Sequence, residues 1–209
     1  MKRIFFSLAL LLAVTTLTAQ TNMTAREAAV KIADRILAST TYEFKNTKTG
    51  ETYKSVKKLP LDMNVKVACK YNNWHYTNGV TNMALMELGD KLADKKYEKY
   101  VLKNMNFVFN EGNLEFFRKQ YDEAFKQDGW NAVRKLSWHM IFRGKRLDDN
   151  GPMGASLIEL QMRYPNQSFL DYVNETAEHL NYGEPRLVDG TIARIWPHVN
   201  TIWADDAFM

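Results

Sequence analysis

Cysteine is almost missing. Cys69 is the one thiol in 209 residues, so no intramolecular disulfide can form and no paired-cysteine redox motif exists. A chain of this size buries roughly 70% of its extended surface and needs no such staple; Cys69 is most economically a small buried apolar residue. The four histidines, His75, His139, His179 and His198, have neither the i, i+4 spacing nor the cysteine company of metal sites, and no metal is expected. Charge of one sign is scarce as well. The formal net charge of +4 falls to +2 once Lys2 and Arg3 are discounted, which is no nucleic-acid signature. Gly-rich phosphate loops, a nucleophile elbow and strand–helix alternation are all absent, which argues against kinase, serine-hydrolase and Rossmann readings. With 45% hydrophobic, 12% aromatic and 25% charged residues, the composition is ordinary and globular, and disordered and collagen-like classes drop out.

Long apolar runs are missing too, since the longest, Ile4 to Val14, is well short of the ~20 residues that span a bilayer. Preceded by Lys2 and Arg3 and followed by small polar residues through Thr18 and Ala19, it reads as a secretory signal peptide over 1–20. Cleavage near Ala19 or Gln20 and export to the periplasm or the medium are expected. No cysteine follows the run, so a lipid anchor is disfavoured, and residues 21–209 are expected to be one soluble domain with no membrane association.

What is present is helical periodicity. Thr24-Ala-Arg-Glu27 has capping-box form, and Ala25, Ala29, Ile32, Ala33 and Ile36 follow at helical spacing. The pattern fails from Thr40 to Asn73, which reads as a long loop or short hairpin. It returns in Val80, Ala84 and Leu88, then Tyr97 to Val108, then Leu114 to Phe125. Further helices are expected around Val133 to Met140, from Met153 to Met162, and through Leu170 to Leu180. Tyr164-Pro165 and Gly183-Glu-Pro185 end the last two. The expectation is an all-α fold of consecutive helical hairpins. Three segments between helices concentrate aromatics, carboxylates and glycine: Trp74 to Gly79, Leu147 to Gly154, and Arg186 to Met209.

Those segments hold the candidate chemistry. Asp148-Asp149 and Asp205-Asp206 are acidic pairs, and paired carboxylates suit acid–base work because each raises the cost of ionising the other. Equally, Asp before Asn-Gly is turn chemistry, and Asp in a first helical turn favours the helix dipole. Trp74, Tyr76 and Trp203 offer planes for a sugar ring or, as readily, core and rim packing. Arg143, Lys145 and Arg146 stand where an anionic substrate would be received, although loop cations are usually just solvated.

Taken in order, Trp74-His-Tyr-Thr-Asn-Gly79-Val, Leu147-Asp-Asp-Asn-Gly-Pro-Met-Gly154-Ala, and Asp189-Gly-Thr-Ile-Ala-Arg194 running into Thr201-Ile-Trp-Ala-Asp-Asp-Ala-Phe-Met209 resemble the unsaturated uronyl hydrolases. The nearer match is glycoside hydrolase family 105, the unsaturated rhamnogalacturonyl hydrolases, with family 88 as close cousin. The resemblance implies an (α/α) toroid of six helical hairpins, of which this chain would be an incomplete, N-terminal part. It implies a substrate already cut by a polysaccharide lyase, carrying a C4=C5 double bond in its terminal uronic acid. The implied reaction is hydration of that vinyl ether, with no cofactor. By motif position, Asp205 matches the acid–base aspartate and Asp149 the second pocket aspartate. Trp74, Tyr76 and Trp203 would line the ring site, and Arg194 and His198 would contact substrate on its approach.

Three other readings stand beside it. The substrate could be an unsaturated glucuronyl oligosaccharide, or the chain could be an inactive fragment that at most binds carbohydrate or a partner chain. A helical-repeat interaction protein would need self-similar repeats at a fixed period, and none is found.

Overall fold

A computed structural model describes residues 23–143, 147–195 and 198–204, without the side chains of Glu111 and Asp149. The expected signal segment, 1–20, lies outside the described residues. Two compact units are separated, Met1–Arg35 and Ile36–Met209. In the first, helix α1 (Ala25–Ser39, continuing into the second unit) opens on the expected capping box. The Thr24 N–H and hydroxyl both donate to Glu27 Oε2 at 2.9 Å, and the Glu27 N–H donates back to Thr24 Oγ1 at 3.2 Å. Two of the helix's orphan donors are thereby satisfied, and the Glu27 carboxyl is held below its ordinary range by those bonds.

The second unit is predominantly helical, as expected. Its irregular opening is more ordered than a loop: β1 (Phe44–Asn46), β2 (Thr52–Tyr53) and β3 (Val65–Val67) form an antiparallel sheet in the order β2-β1-β3. Phe44 pairs with Tyr53 on one side and Val67 on the other. Phe44, Val65 and Val67 are buried, and the Phe44 ring meets those of Phe107, Phe116 and Phe117 at 5.7–5.9 Å. An apolar face of three short strands is stable here because helices cover it.

Helices α2 (Tyr76–Leu92) and α3 (Lys96–Val108) form a hairpin, followed by α4 (Glu111–Val133), which breaks at Asp128-Gly129, where Gly129 has φ +52°. The helix expected around Val133 to Met140 is instead a turn followed by the single-turn α5 (Met140–Arg143). A second hairpin joins α6 (Leu147–Arg163) to α7 (Gln167–Glu178), capped by the Asn166 carboxamide accepting from the Ser168 N–H at 2.9 Å. Leu147 to Gly154 is therefore a helix start and not an interhelical turn. Asn-Gly-Pro lies in the second turn of α6, where Pro152 lacks the N–H that would bond to the Asp148 carbonyl and so removes one rung of the hydrogen-bond ladder.

Helices α2 and α6 run parallel in direct contact. Gly79 of α2 faces Pro152 and Met153 of α6, and about three turns further on, Asp90 pairs with Arg163. A Cβ on Gly79 would overlap the Pro152 carbonyl and lie 2.5 Å from the Met153 nitrogen, both backbone atoms that cannot rotate away. Gly79→Ala is expected to cost roughly 1–3 kcal/mol through overpacking, read as a lowered denaturant midpoint. An unchanged midpoint would contradict the close approach.

Candidate functional site at the joined helix starts

The α2–α6 contact brings two of the three motif segments to one end of the unit. His75 is the N-cap of α2: its Nδ1 accepts from the Thr77 N–H at 3.4 Å and lies 2.9 Å from the Thr77 hydroxyl. Behind it, Asn78 is buried and its amide donates to the Lys70 and Asn73 carbonyls at 2.9 and 2.8 Å, tying the preceding loop to the helix start. Tyr76 follows, 38% exposed, its ring 4.6 Å from that of His75. Asp148, second residue of α6, lies within electrostatic reach of His75 and partly opposes the lowering of the imidazole pKa that burial causes.

In the described part of the third segment, antiparallel bridges join Arg186 to Ile192 and Arg194 to Thr201. The Arg194 N–H donates to the Thr201 carbonyl at 2.9 Å, with Asn200 held at φ +61° in the turn. Its guanidinium reaches back to α6, with Nη2 3.6 Å from Asp148 Oδ2, and lies over the Trp203 ring at 4.0 Å. Arginine thus joins an acidic helix start to an aromatic plane that stays 39% exposed. Asp148 Oδ1 is buried with no hydrogen-bond partner among the described residues, an acceptor that a hydroxyl or water would satisfy.

Of the residues singled out from sequence, Tyr76, Arg194 and Trp203 are gathered around the α2 and α6 starts. Asp149 is the third residue of α6, and its side chain, like all of Asp205, lies outside the described residues, as do Lys145 and Arg146. His198 is exposed in the turn, where its carbonyl accepts from the Thr201 hydroxyl at 2.8 Å. Trp74 requires a correction. It is completely buried, packed edge-on to Tyr172 at 4.9 Å and near Phe109 and Trp138. With no open face it is core, and it supports the site from beneath and does not receive a ring.

Beside this cluster is a half-open cavity of about 510 Å³ between α5, α6, α7 and the segment that follows α7. Its apolar wall includes Ile141, Phe142 and Ile195, and its polar wall includes Arg143, Asn150, Glu175 and His179. After α7 the chain makes a π-helical turn, His179–Gly183, an irregularity common at functional sites. His179 Nε2 lies 3.1 Å from Glu184 Oε1, and the other edge of the ring rests on Gly183, where a Cβ would come 2.9 Å from Cε1. Sequence reasoning dismissed His179 for lack of metal spacing. The available signal was His179 followed by Gly183-Glu184 at a helix end.

Burial holds both His75 and His139 below the ordinary imidazole value of 6.5, with Arg143 and His75 adding to the effect on His139. A base whose folded pKa is depressed contributes stability that is whole above 6.5 and lost as pH falls below it. The melting temperature is therefore expected to drop between pH 7 and 5, and to drop less in His139→Gln. An identical profile in that variant would contradict the assignment.

The chain matches no protein-family model and no curated protein.

Proposed function

We propose that the chain is a glycoside hydrolase that removes a terminal Δ4,5-unsaturated uronic acid from lyase-cut rhamnogalacturonan oligosaccharides. The observation that supports this most is convergence. Three motif segments that resemble one enzyme family, more than a hundred residues apart at their extremes, share one end of the unit, with Tyr76, Asp148, Arg194 and Trp203 around two helix starts. Two aromatic side chains with exposed surface suit the C–H faces of a sugar, and the Asp148 carboxylate at the same mouth suits proton transfer. The parallel α2–α6 contact between two hairpins is compatible with the inner ring of an (α/α) toroid.

The chemistry follows from the double bond. Asp205, as general acid, protonates C4, and water adds its oxygen to C5 as its proton passes to a carboxylate. The hemiketal so formed opens by breaking its ring C5–O bond, and the freed hemiacetal at C1 releases the remaining sugar. No bond at the anomeric carbon is displaced directly, which separates this route from ordinary glycoside hydrolysis. Export, with the 1–20 leader removed, belongs to the same proposal, because lyase products of a polymer arise outside the cytoplasm.

The discriminating experiment pairs the unsaturated galacturonyl–rhamnose disaccharide with its saturated counterpart. Cleavage of the unsaturated sugar alone is expected. Comparable cleavage of both would overturn hydration and point to displacement at C1.

A further inference from the structure

We propose that the outer face of the β2-β1-β3 sheet is a docking surface for a uronate polymer, a polysaccharide with one carboxylate per sugar ring. The choice of polymer rests on the hydrolase reading, whose oligosaccharides are cut from such a chain. The face itself is built from other residues, and charge is its first ground. Residues 45–70 hold seven lysines and two carboxylates, an excess larger than the +4 of the whole chain. Both carboxylates are engaged within the stretch. Asp62 accepts from the Asn64 N–H and from the Asn64 and Asn46 amides at 2.8–3.0 Å, and Glu51 bonds to the Tyr53 hydroxyl. Glu43, one step along the β1–β2 register from Phe44 and Tyr53, stands opposite Lys54 and offsets that lysine.

The second ground is placement. Lys45 of β1 pairs directly with Lys66 of β3, while Phe44, Val65 and Val67 are buried, so both lysines stand on the opposite, outer face. Lys66 Nζ donates to the Lys135 carbonyl at 3.4 Å, which sets Lys135, itself exposed, beside the pair. Like charges directly opposite one another destabilise a sheet, and none of the three forms an ion pair among the described residues. On the helices, by contrast, Lys91, Lys95, Lys96, Lys119 and Lys126 each hold a carboxylate at 2.6–3.4 Å. An anion from outside would relieve the sheet. The third ground selects that anion. The outer positions of the ladder are Lys45, Thr52 and Lys66, with no ring to stack a base and no apolar side chain to enter a membrane. Residues 45–70 hold no arginine, whose fork suits phosphate. Lysines are compact point charges that suit single, spaced carboxylates, and Thr52 offers a hydroxyl to the sugar between them.

The test is calorimetric titration of the full chain with polygalacturonate and with its fully methyl-esterified, uncharged counterpart, at low and high salt. Saturable binding of polygalacturonate alone is expected, lost at high salt. A triple variant, Lys45→Gln with Lys66→Gln and Lys135→Gln, is expected to bind about ten-fold more weakly or worse, the sum of three exposed charge pairs. Because that variant removes a like-charge pair, its denaturant midpoint should stay or rise, which separates lost binding from a lost fold. Its turnover of the unsaturated disaccharide should match that of the wild type. Undiminished affinity in the triple variant, equal binding of the esterified polymer, or no saturable binding overturns the proposal. So does tighter binding of double-stranded DNA or of phosphatidylglycerol vesicles than of polygalacturonate. Lysine-dependent binding of polygalacturonate by a chain that turns over no unsaturated disaccharide strikes the hydrolase reading and supports the docking face.

Discussion

Asp205→Asn is expected to lower turnover of an unsaturated uronyl disaccharide by about 10²–10⁴-fold, the range a general acid contributes, with the melting temperature nearly unchanged. The vinyl ether is inert until C4 is protonated, and asparagine holds no acidic proton near neutral pH. A carboxylic acid does so only if its pKa is raised. Asp205 itself lies outside the described residues. Trp203, two residues earlier, is held under the Arg194 guanidinium, and Arg194 is paired to Asp148 of α6. Arg194→Lys should therefore reduce kcat less than Asp205→Asn, because it keeps the charge but not the planar stacking. Near-wild-type turnover by the asparagine variant would remove Asp205 from the role.

Arg163→Met is expected to give the largest loss of stability, about 3 kcal/mol, the low end of the cost of breaking a buried ion pair. Arg163 ends α6 and holds three carboxylates. Its two terminal nitrogens pair with Asp90 at 2.7 and 2.9 Å, one of them with Glu98 at 3.1 Å and the other with Glu159 at 2.6 Å. Glu98 is almost wholly buried and also accepts from the Tyr164 hydroxyl at 2.6 Å, with Lys95 3.0 Å away. Those remaining partners keep the loss from being larger. The network joins α2, α3 and α6, the helices whose packing presents the site. Tyr164 first, then Lys95 and Arg163, hold the Glu98 carboxyl below its ordinary value of 4.5. A depressed carboxylate contributes stability that is whole above 4.5 and disappears as pH falls through the folded value. The gap between wild type and variant should be constant from pH 7 to about 4.5 and close on further acidification. Chemical denaturation across that range measures it, and a gap indifferent to pH would show packing rather than charge at work.

The helices and several of their limits were legible because their signals are local. Thr24 and Glu27 cap in the sequence and in the fold, and Pro165 and Pro185 follow the ends of α6 and α7. A short hairpin was one of two readings of 40–73 and β1–β2 is one, but the third strand was not legible, because strands of two or three residues are too short to display alternation. Asp148 to Pro152 reads as a turn from composition but is helical, since tertiary contact of Pro152 and Met153 with Gly79 outweighs weak propensity. Trp74 beside Tyr76 illustrates the limit for the site. Adjacent aromatics go to opposite fates, one sealed by Tyr172 and Trp138, one at the surface, because burial depends on elements far away in the chain. The Arg163 network and the His179–Glu184 pair were invisible for the same reason or for want of a recognised spacing.

The most direct measurement is the ultraviolet absorbance of the C4=C5 uronate, followed while the full chain is incubated with unsaturated rhamnogalacturonyl and unsaturated glucuronyl disaccharides. The account predicts a decay proportional to protein concentration on the rhamnogalacturonyl substrate, with one free rhamnose released per double bond lost. Constant absorbance on both substrates, with the chain shown to be folded by circular dichroism, would contradict it.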